Sequence, residues 1–252
     1  MTATDRLAAE QAFHDRQADE RSPSFPDAAA LRFADDAYLD HETWIRPAVD
    51  RLGRLDGRRV LDYGCGHGMA AVVLARRGGR VTAFDLSAGY LVEARRRARA
   101  NGAAVHFLQA DGERLPFADG SFDRVWGNAV LHHLDLDKAV RELRRVLAPG
   151  GIAVFCEPWG ENPLLSWVRR RLPYPGKGRT PDENPLRRRH LPILRETFPR
   201  LEVEGYQLLS MARRVLRPGR ITAGLEWCDG RLLRRAPFLR RFCRYVVLTL
   251  QL

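Results

Sequence analysis

The sequence predicts an α/β domain, doubly wound around a parallel sheet, and three observations carry that expectation. Strand-length apolar runs alternate with helical stretches between about residues 58 and 158, the first run ends in clustered glycines, and the second ends in an acid. In such domains ligands sit at the carboxyl ends of the strands.

The elements follow in order. The first 50 or so residues hold an amphipathic helical pattern with Phe33, Tyr38, His41 and Trp44. RRVLDYG at 58–64 reads as the first strand and MAAVVLARRG at 69–78 as the helix after it. RVTAFDLS at 80–87 alternates like a strand, and AGYLVEARRRARANG at 88–102 is a helix stopped by Asn101 and Gly102. VHFLQAD at 105–111 and FDRVWGNAV at 122–130 are the third and fourth strands. DKAVRELRRVLAPGG at 137–151 reads as a helix stopped by Pro149 and two glycines, with IAVFCEP at 152–158 as the fifth strand. The rhythm then breaks. Residues 159–190 contain five prolines yet keep Trp159, Leu164, Leu165, Trp167 and Tyr174, which predicts an ordered cap over the ligand edge. LPILRETF at 191–198 reads as a helix, LEVEGYQLLS at 201–210 and YVVLTL at 245–250 as further strands, and helices are expected around 220–244.

The composition is that of one globular domain: 252 residues, 45% hydrophobic and 29% charged. No apolar stretch is long enough to span a membrane and the N-terminus lacks a secretory pattern, so a cytoplasmic address is expected. Cys65, Cys156, Cys228 and Cys243 are widely spaced, which predicts buried free thiols and neither a disulfide framework nor a zinc site. The net charge of +11 is uneven. Residues 1–150 balance 22 basic against 22 acidic side chains, whereas residues 151–252 carry 20 against 9. Clusters such as Arg169 to Arg171 and Arg187 to Arg189 suit an anionic carboxylate or phosphate substrate, a membrane surface or nucleic acid, or else a solvated face.

VLDYGCGHG at 60–68 sets Asp62, Gly64, Cys65, Gly66 and Gly68 at the turn from strand to helix. Glycines there let the backbone approach a ligand, and the helix start offers unpaired N–H groups. Asp85, ending the second strand, is placed to accept hydrogen bonds from a ribose diol. Together with ADGERLPFADGSFDRVWGNAVLHHL at 110–134 and VLAPGGIAVFCEP at 146–158, this register resembles the class I S-adenosylmethionine-dependent methyltransferases, in particular their small-molecule branch known as type 11.

The resemblance covers roughly residues 55–157 and implies a Rossmann-like sheet of seven strands whose last strand is antiparallel. It implies an N-terminal helical lid over 1–50, a cofactor core over 55–157, and a cap with a substrate-side region over 158–252. S-adenosyl-L-methionine is the implied cofactor. Asp62 resembles the acid near its methionine moiety, with Gly64, Cys65 and Gly66 forming the turn that faces it. Asp85 is similar to the ribose acid, Leu86 to the apolar residue against adenine, Asp111 and Gly112 to the pair at the adenine edge, and Asn128 to the contact with the methionine end.

The implied chemistry is displacement at a sulfonium methyl, in which the protein aligns the acceptor, excludes water and, where needed, takes a proton. His132, His133 and Glu157 are the candidates for acid or base work, with His41 behind them. Tyr38, His41 and Trp44, together with Arg179, Arg213 and Arg214, are the candidates for lining or gripping a small acceptor, anionic in the Arg case. No metal is expected. Oxygen is favoured over nitrogen or carbon as acceptor. The Asn/Asp-Pro-Pro-Tyr signature of methyltransferases acting on nucleic-acid bases or glutamine is absent, since the fourth strand reads GNAVLHH. Two other readings stand beside this one. A nicotinamide-dependent oxidoreductase accounts for the glycines and Asp85 but leaves LPFADGSFDRV and LAPGG unexplained. A binding module would use the basic C-terminal region on nucleic acid or anionic lipid.

Overall fold

The structure, a computed structural model, describes residues 3–171, 185–216 and 219–252. Its sheet comprises β1 (Arg59–Tyr63), β2 (Arg80–Asp85), β3 (Val105–Gln109), β4 (Phe122–Asn128), β5 (Leu147–Pro158), β6 (Arg200–Tyr206) and β7 (Tyr245–Gln251). Their spatial order is β3, β2, β1, β4, β5, β7, β6. The first five strands pair in parallel, and β7 slots antiparallel between β5 and β6. The expected seven-stranded sheet with an antiparallel last strand is therefore present.

Helices α1 (Ala3–Arg21), α2 (Asp35–Leu39) and α3 (Ile45–Asp50) precede the sheet, and α4 (Met69–Arg76), α5 (Ala88–Ala100) and α6 (Leu136–Val146) connect its strands. Beyond β5 come α7 (Pro163–Arg171), α8 (Leu191–Thr197) and α9 (Arg220–Arg235). Side-chain caps start two of the connectors: the Ser87 hydroxyl accepts from the Tyr90 N–H at 3.0 Å, and Asp135 accepts from the Lys138 N–H. β1 is buried on both faces, which is why its sequence reads as a continuous apolar run. One core layer joins α2, α3 and α4 to the sheet through Ile45, Val49, Val73 and Trp126, and the opposite layer joins α6 and α8 through Leu143, Leu194 and Phe155.

Some boundaries differ from the sequence reading. The helix expected over 137–151 ends at Val146, and the Leu-Ala-Pro-Gly-Gly segment opens β5. Leu147 pairs with Phe122, and a register shift between Phe122 and Arg124 absorbs the exposed Pro149 and Gly150 before regular pairing resumes at Ile152. The helix expected toward 244 stops at Arg235. Pro237, lacking an N–H, opens a short 3-10 segment over Pro237–Phe242 instead. Cys65, Cys156 and Cys243 are buried free thiols as expected, but Cys228 is only half-buried on α9.

Part of the expected cap, Tyr174 and Arg179 included, lies outside the described residues. The described flanks pack into the core: the Trp159 N–H donates to the Arg244 carbonyl at 2.9 Å, and the Leu186 N–H donates to the Pro158 carbonyl at 3.0 Å. Among the described residues no helix is long and apolar enough to cross a membrane.

Candidate active site

The glycine turn after β1 is tied to the end of β2. The Gly66 N–H donates to Asp85 Oδ2 at 2.8 Å and the Ser87 N–H donates to Oδ1 at 2.9 Å, so the turn and the start of α5 share one carboxylate. Gly64 and Gly66 both have positive φ, but for different surroundings. A Cβ on Gly64 would lie 2.5 Å from Val130 Cγ2, whereas one on Gly66 meets nothing within 4 Å and would project into open space.

Two cavities meet at this turn. One, of about 210 Å³, is lined by Gly64, Gly66, Asp85, Leu86, Asp111 and Gly112 along the strand ends and is covered by α1. The second, of about 490 Å³, is lined by Asp62, Cys65, Trp126, Tyr38, His41 and Arg21. Gly64, Gly66, His67 and Asn128 belong to both. Every residue expected to meet the cofactor therefore lines one of two connected cavities.

The second cavity presents acceptors in search of a donor. Asp62 is 2% exposed, and burial, followed by the neighbouring charge of Asp85, pushes its carboxyl up to about 8. Asp62 Oδ2 and Asn128 Oδ1 have no hydrogen-bond partner among the described residues. Two buried, unmatched acceptors on one wall suit a cationic multiple donor such as a primary ammonium, which the methionine end of S-adenosylmethionine carries. On the other side the buried carboxylate of Asp85, beside the open space at Gly66, suits the diol of a nucleoside. The residues present fit that cofactor. His67, which faces both halves, is kept neutral by burial and by the Arg97 and Arg21 charges.

The covering helix is fastened at several points. Arg6 donates to the His133 carbonyl at 2.9 Å and pairs with Glu113. Glu10 contacts His133 Nδ1 at 2.5 Å and His14 Nε2 at 3.4 Å. Asp15 accepts from the Ser87 hydroxyl at 2.5 Å and the Gly89 N–H at 3.1 Å, and Gln17 accepts from the Tyr90 hydroxyl at 3.1 Å. Burial disfavours the charged His14 ring, but its hydrogen bond to Glu10 and the charges of Asp85 and Glu10 outweigh this and raise it. Glu10, His14 and His133 also place ligand-capable atoms within 4.8 Å of one another. Glu10 and His14 lie one turn apart on α1, and His133 joins them from the distant loop after β4.

Glu157 and His132 do different work from a pair facing the reacting methyl. The turn after β4 passes through Ala129 at φ 58°, a left-handed conformation unusual for a residue with a side chain. Glu157, fully buried, accepts the Val130 N–H at 3.0 Å and the Leu131 N–H at 2.8 Å, and its second oxygen meets His132 Nδ1 at 2.8 Å. Neither residue lines either cavity. His133 does, on the lid side.

Of the acceptor-side candidates, Tyr38 and His41 line the second cavity. Trp44 is core: it stacks on Tyr245 with ring centroids 3.9 Å apart. Arg213 is engaged by Glu226 at 3.3 Å and Glu42 at 4.0 Å, and Arg214 is exposed; neither lines these cavities. Arg179 lies outside the described residues. Sequence reasoning missed Arg6, Glu10, His14 and Gln17 on α1, and also His67 and Tyr90. The helix carries no strand-end motif, and its charged residues read as an ordinary solvated surface.

The family described as "Methyltransferase domain" matches residues 61–155. A demethylmenaquinone methyltransferase from Thermus thermophilus is 39% identical over 163 residues, covering 62% of this chain and 74% of that protein. A malonyl-[acyl-carrier protein] O-methyltransferase from Enterobacter lignolyticus is 44% identical over 133 residues, covering 51% of each; the match thus spans about half the length of that relative. Among solved structures, a geranyl diphosphate C-methyltransferase from Streptomyces coelicolor A3(2), crystallised with Mg2+, geranyl diphosphate and S-adenosyl-L-homocysteine, shares the fold. Its TM-score is 0.56 at 21% identity, covering 82% of this chain and 77% of that one.

Proposed function

The chain belongs to the class I S-adenosylmethionine-dependent methyltransferases, and we propose that it methylates an oxygen of a small-molecule acceptor that enters through the cavity beside Tyr38 and His41. The observation that carries this reading is that the two cavities share Gly64, Gly66, His67 and Asn128, and that the one holding Asp62 also reaches Tyr38 and His41, so that the methionine end of the cofactor and an acceptor can meet there. When bound, S-adenosylmethionine supplies a methyl group already activated on sulfonium sulfur. The chain then has three tasks. Asp85 takes the ribose diol, and Asp62 with Asn128 takes the ammonium. The α1 helix excludes water. His41, on the acceptor side, accepts the proton of a hydroxyl or carboxyl acceptor. Arg21, at the same rim, provides a counter-charge for an anionic acceptor. The name of the Enterobacter relative, an O-methyltransferase, supports oxygen.

The test is to incubate the protein with S-adenosylmethionine and a panel of carboxylated, phosphorylated, phenolic, amine and neutral acceptors. S-adenosylhomocysteine release and the mass gain of one methyl are followed together. Methylation of hydroxyl or carboxyl acceptors, slowed by His41→Ala at unchanged S-adenosylhomocysteine affinity, supports the reading. Turnover confined to amine or carbon acceptors overturns the assignment to oxygen, and full activity in His41→Ala overturns the role of that imidazole.

A further inference from the structure

We infer that the segment between β6 and β7 is a docking surface for an anionic phospholipid bilayer. The described residues of 207–244, which leave out 217 and 218, depart from the sheet after Tyr206 and return at Tyr245, which pairs with Pro158 at the carboxyl end of β5. The segment therefore stands on the edge of the sheet where the cavities open. It also touches their rim: Gln207 donates to Glu42 at 2.8 Å, next to the cavity-lining His41.

The segment contains ten Arg and no Lys, against two acids, Glu226 and Asp229, a balance of +8. Both acids are spent locally. Asp229 is buried and accepts the N–H groups of Leu208, Leu209 and Ser210 at 2.7 to 3.0 Å, and Glu226 pairs with Arg213. Arg214, Arg220, Arg231, Arg234, Arg235 and Arg241 are exposed and form no ion pair among the described residues. On α9, Arg220, Trp227, Arg231 and Arg234 recur at helical spacing on the face opposite the buried Thr222 and Asp229.

Large apolar side chains stand among these arginines. Val215 is 87% exposed, Ile221 70%, Phe238 65% and Trp227 62%, with the Arg231 guanidinium 4.6 Å from the Trp227 ring. The 3-10 turn Ser210–Arg214, which Val215 directly follows, and the segment Pro237–Phe242, which carries Phe238, both pack on α9. Duplex nucleic acid takes the arginines but offers nothing to Val215 or Ile221. A protein interface gathers its apolar groups into a core depleted of charge, whereas here arginines separate them. A bilayer surface accommodates both, with guanidinium groups among the lipid phosphates and aromatic and aliphatic groups at the acyl boundary. This inference does not depend on which acceptor atom is methylated.

The full chain is floated with phosphatidylcholine vesicles, with and without phosphatidylglycerol. Flotation only with the anionic vesicles, weakening with salt, is expected. Arg231→Gln should reduce affinity about fivefold, and the same change at Arg231, Arg234 and Arg235 together about a hundredfold. Trp227→Ser should also weaken binding and remove the blue shift of tryptophan emission that vesicles cause. S-adenosylhomocysteine affinity serves as the folding control, and none of these variants should change it. Failure to float with anionic vesicles overturns the proposal, and so does binding that Trp227→Ser leaves intact. Equal binding to polyglutamate or to duplex DNA overturns it in favour of an acidic macromolecule.

Discussion

The Asp15 carboxylate accepts the Ser87 hydroxyl at 2.5 Å, while the Ser87 N–H donates to Asp85 at 2.9 Å, so α1 is joined through one serine to the carboxylate that ends β2. The lid and the floor of the cofactor cavity are thus one hydrogen-bonded unit. Asp15→Ala removes a charge-assisted bond and leaves the Gly89 N–H unpaired, a loss of about 1.5 kcal/mol. The expected outcome is S-adenosylhomocysteine dissociation about tenfold faster, with Tm lowered by a few degrees. Stopped-flow measurement of dissociation checks this, and an unchanged rate would show that α1 does not hold the ligand in.

One residue earlier on the same helix, at His14, pH should loosen the lid. Because the folded His14 value is raised above its ordinary 6.5, its contribution is full below about 6.5 and is lost as pH rises through the folded value. Limited proteolysis of α1 should accelerate across that interval. His14→Gln should abolish the dependence.

Asp62 acts in the same direction over a wider interval. Its carboxyl, ordinarily near 3.8, stands at about 8 in the folded protein, so folded molecules retain a proton that unfolded chains release. Stability should fall as pH rises from about 4 to about 8 and level off above that, and Asp62→Asn should flatten the decline and raise Tm at the alkaline end. Binding of an ammonium favours the carboxylate, so S-adenosylhomocysteine binding at neutral pH should expel a proton. Calorimetry in buffers of different ionisation enthalpy detects it in the wild type. A proton released equally by Asp62→Asn would place its source elsewhere.

The two motif glycines should separate folding from binding. Gly66→Val meets open space, so its structural cost is confined to the positive φ, about 1–2 kcal/mol, while its side chain enters the cavity and should abolish S-adenosylhomocysteine binding. Gly64→Val adds a collision with Val130 to the same backbone strain and should unfold at a markedly lower temperature. Equal Tm values for the two variants would contradict the environments described.

Glu157 should behave as a positioning residue. Glu157→Ala removes the single oxygen that accepts the Val130 and Leu131 N–H groups, which should cost about 1–3 kcal/mol and relax the turn holding Ala129 at positive φ. Ala129→Gly in that background should restore part of the lost stability, because glycine tolerates the conformation. No rescue by glycine would mean that the strain at Ala129 is not what Glu157 offsets.

The strand and helix alternation and the glycine turn were legible in the chain, because local pattern dictates where apolar runs stop; Asp62, Leu86, Asp111, Gly112 and Asn128 came from the family resemblance, and they line the two cavities with Asp85. The boundary at Leu147 was not legible, since proline and glycines that read as a helix stop became the start of a strand once Phe122 offered a partner for pairing. An N-terminal helical lid was expected as a segment, but not the residues that fasten it. Glu10, His14 and Asp15 look like any polar helix face, and only docking against His133 and Ser87 turns them inward. The same applies to His132 and Glu157: their residue types suggested acid or base work, but burial and three hydrogen bonds commit Glu157 to the turn. Periodicity along one chain determines elements and their ends. Which polar groups face a ligand and which support the backbone is decided by contacts between residues far apart in sequence, and those exist only once the layers are packed.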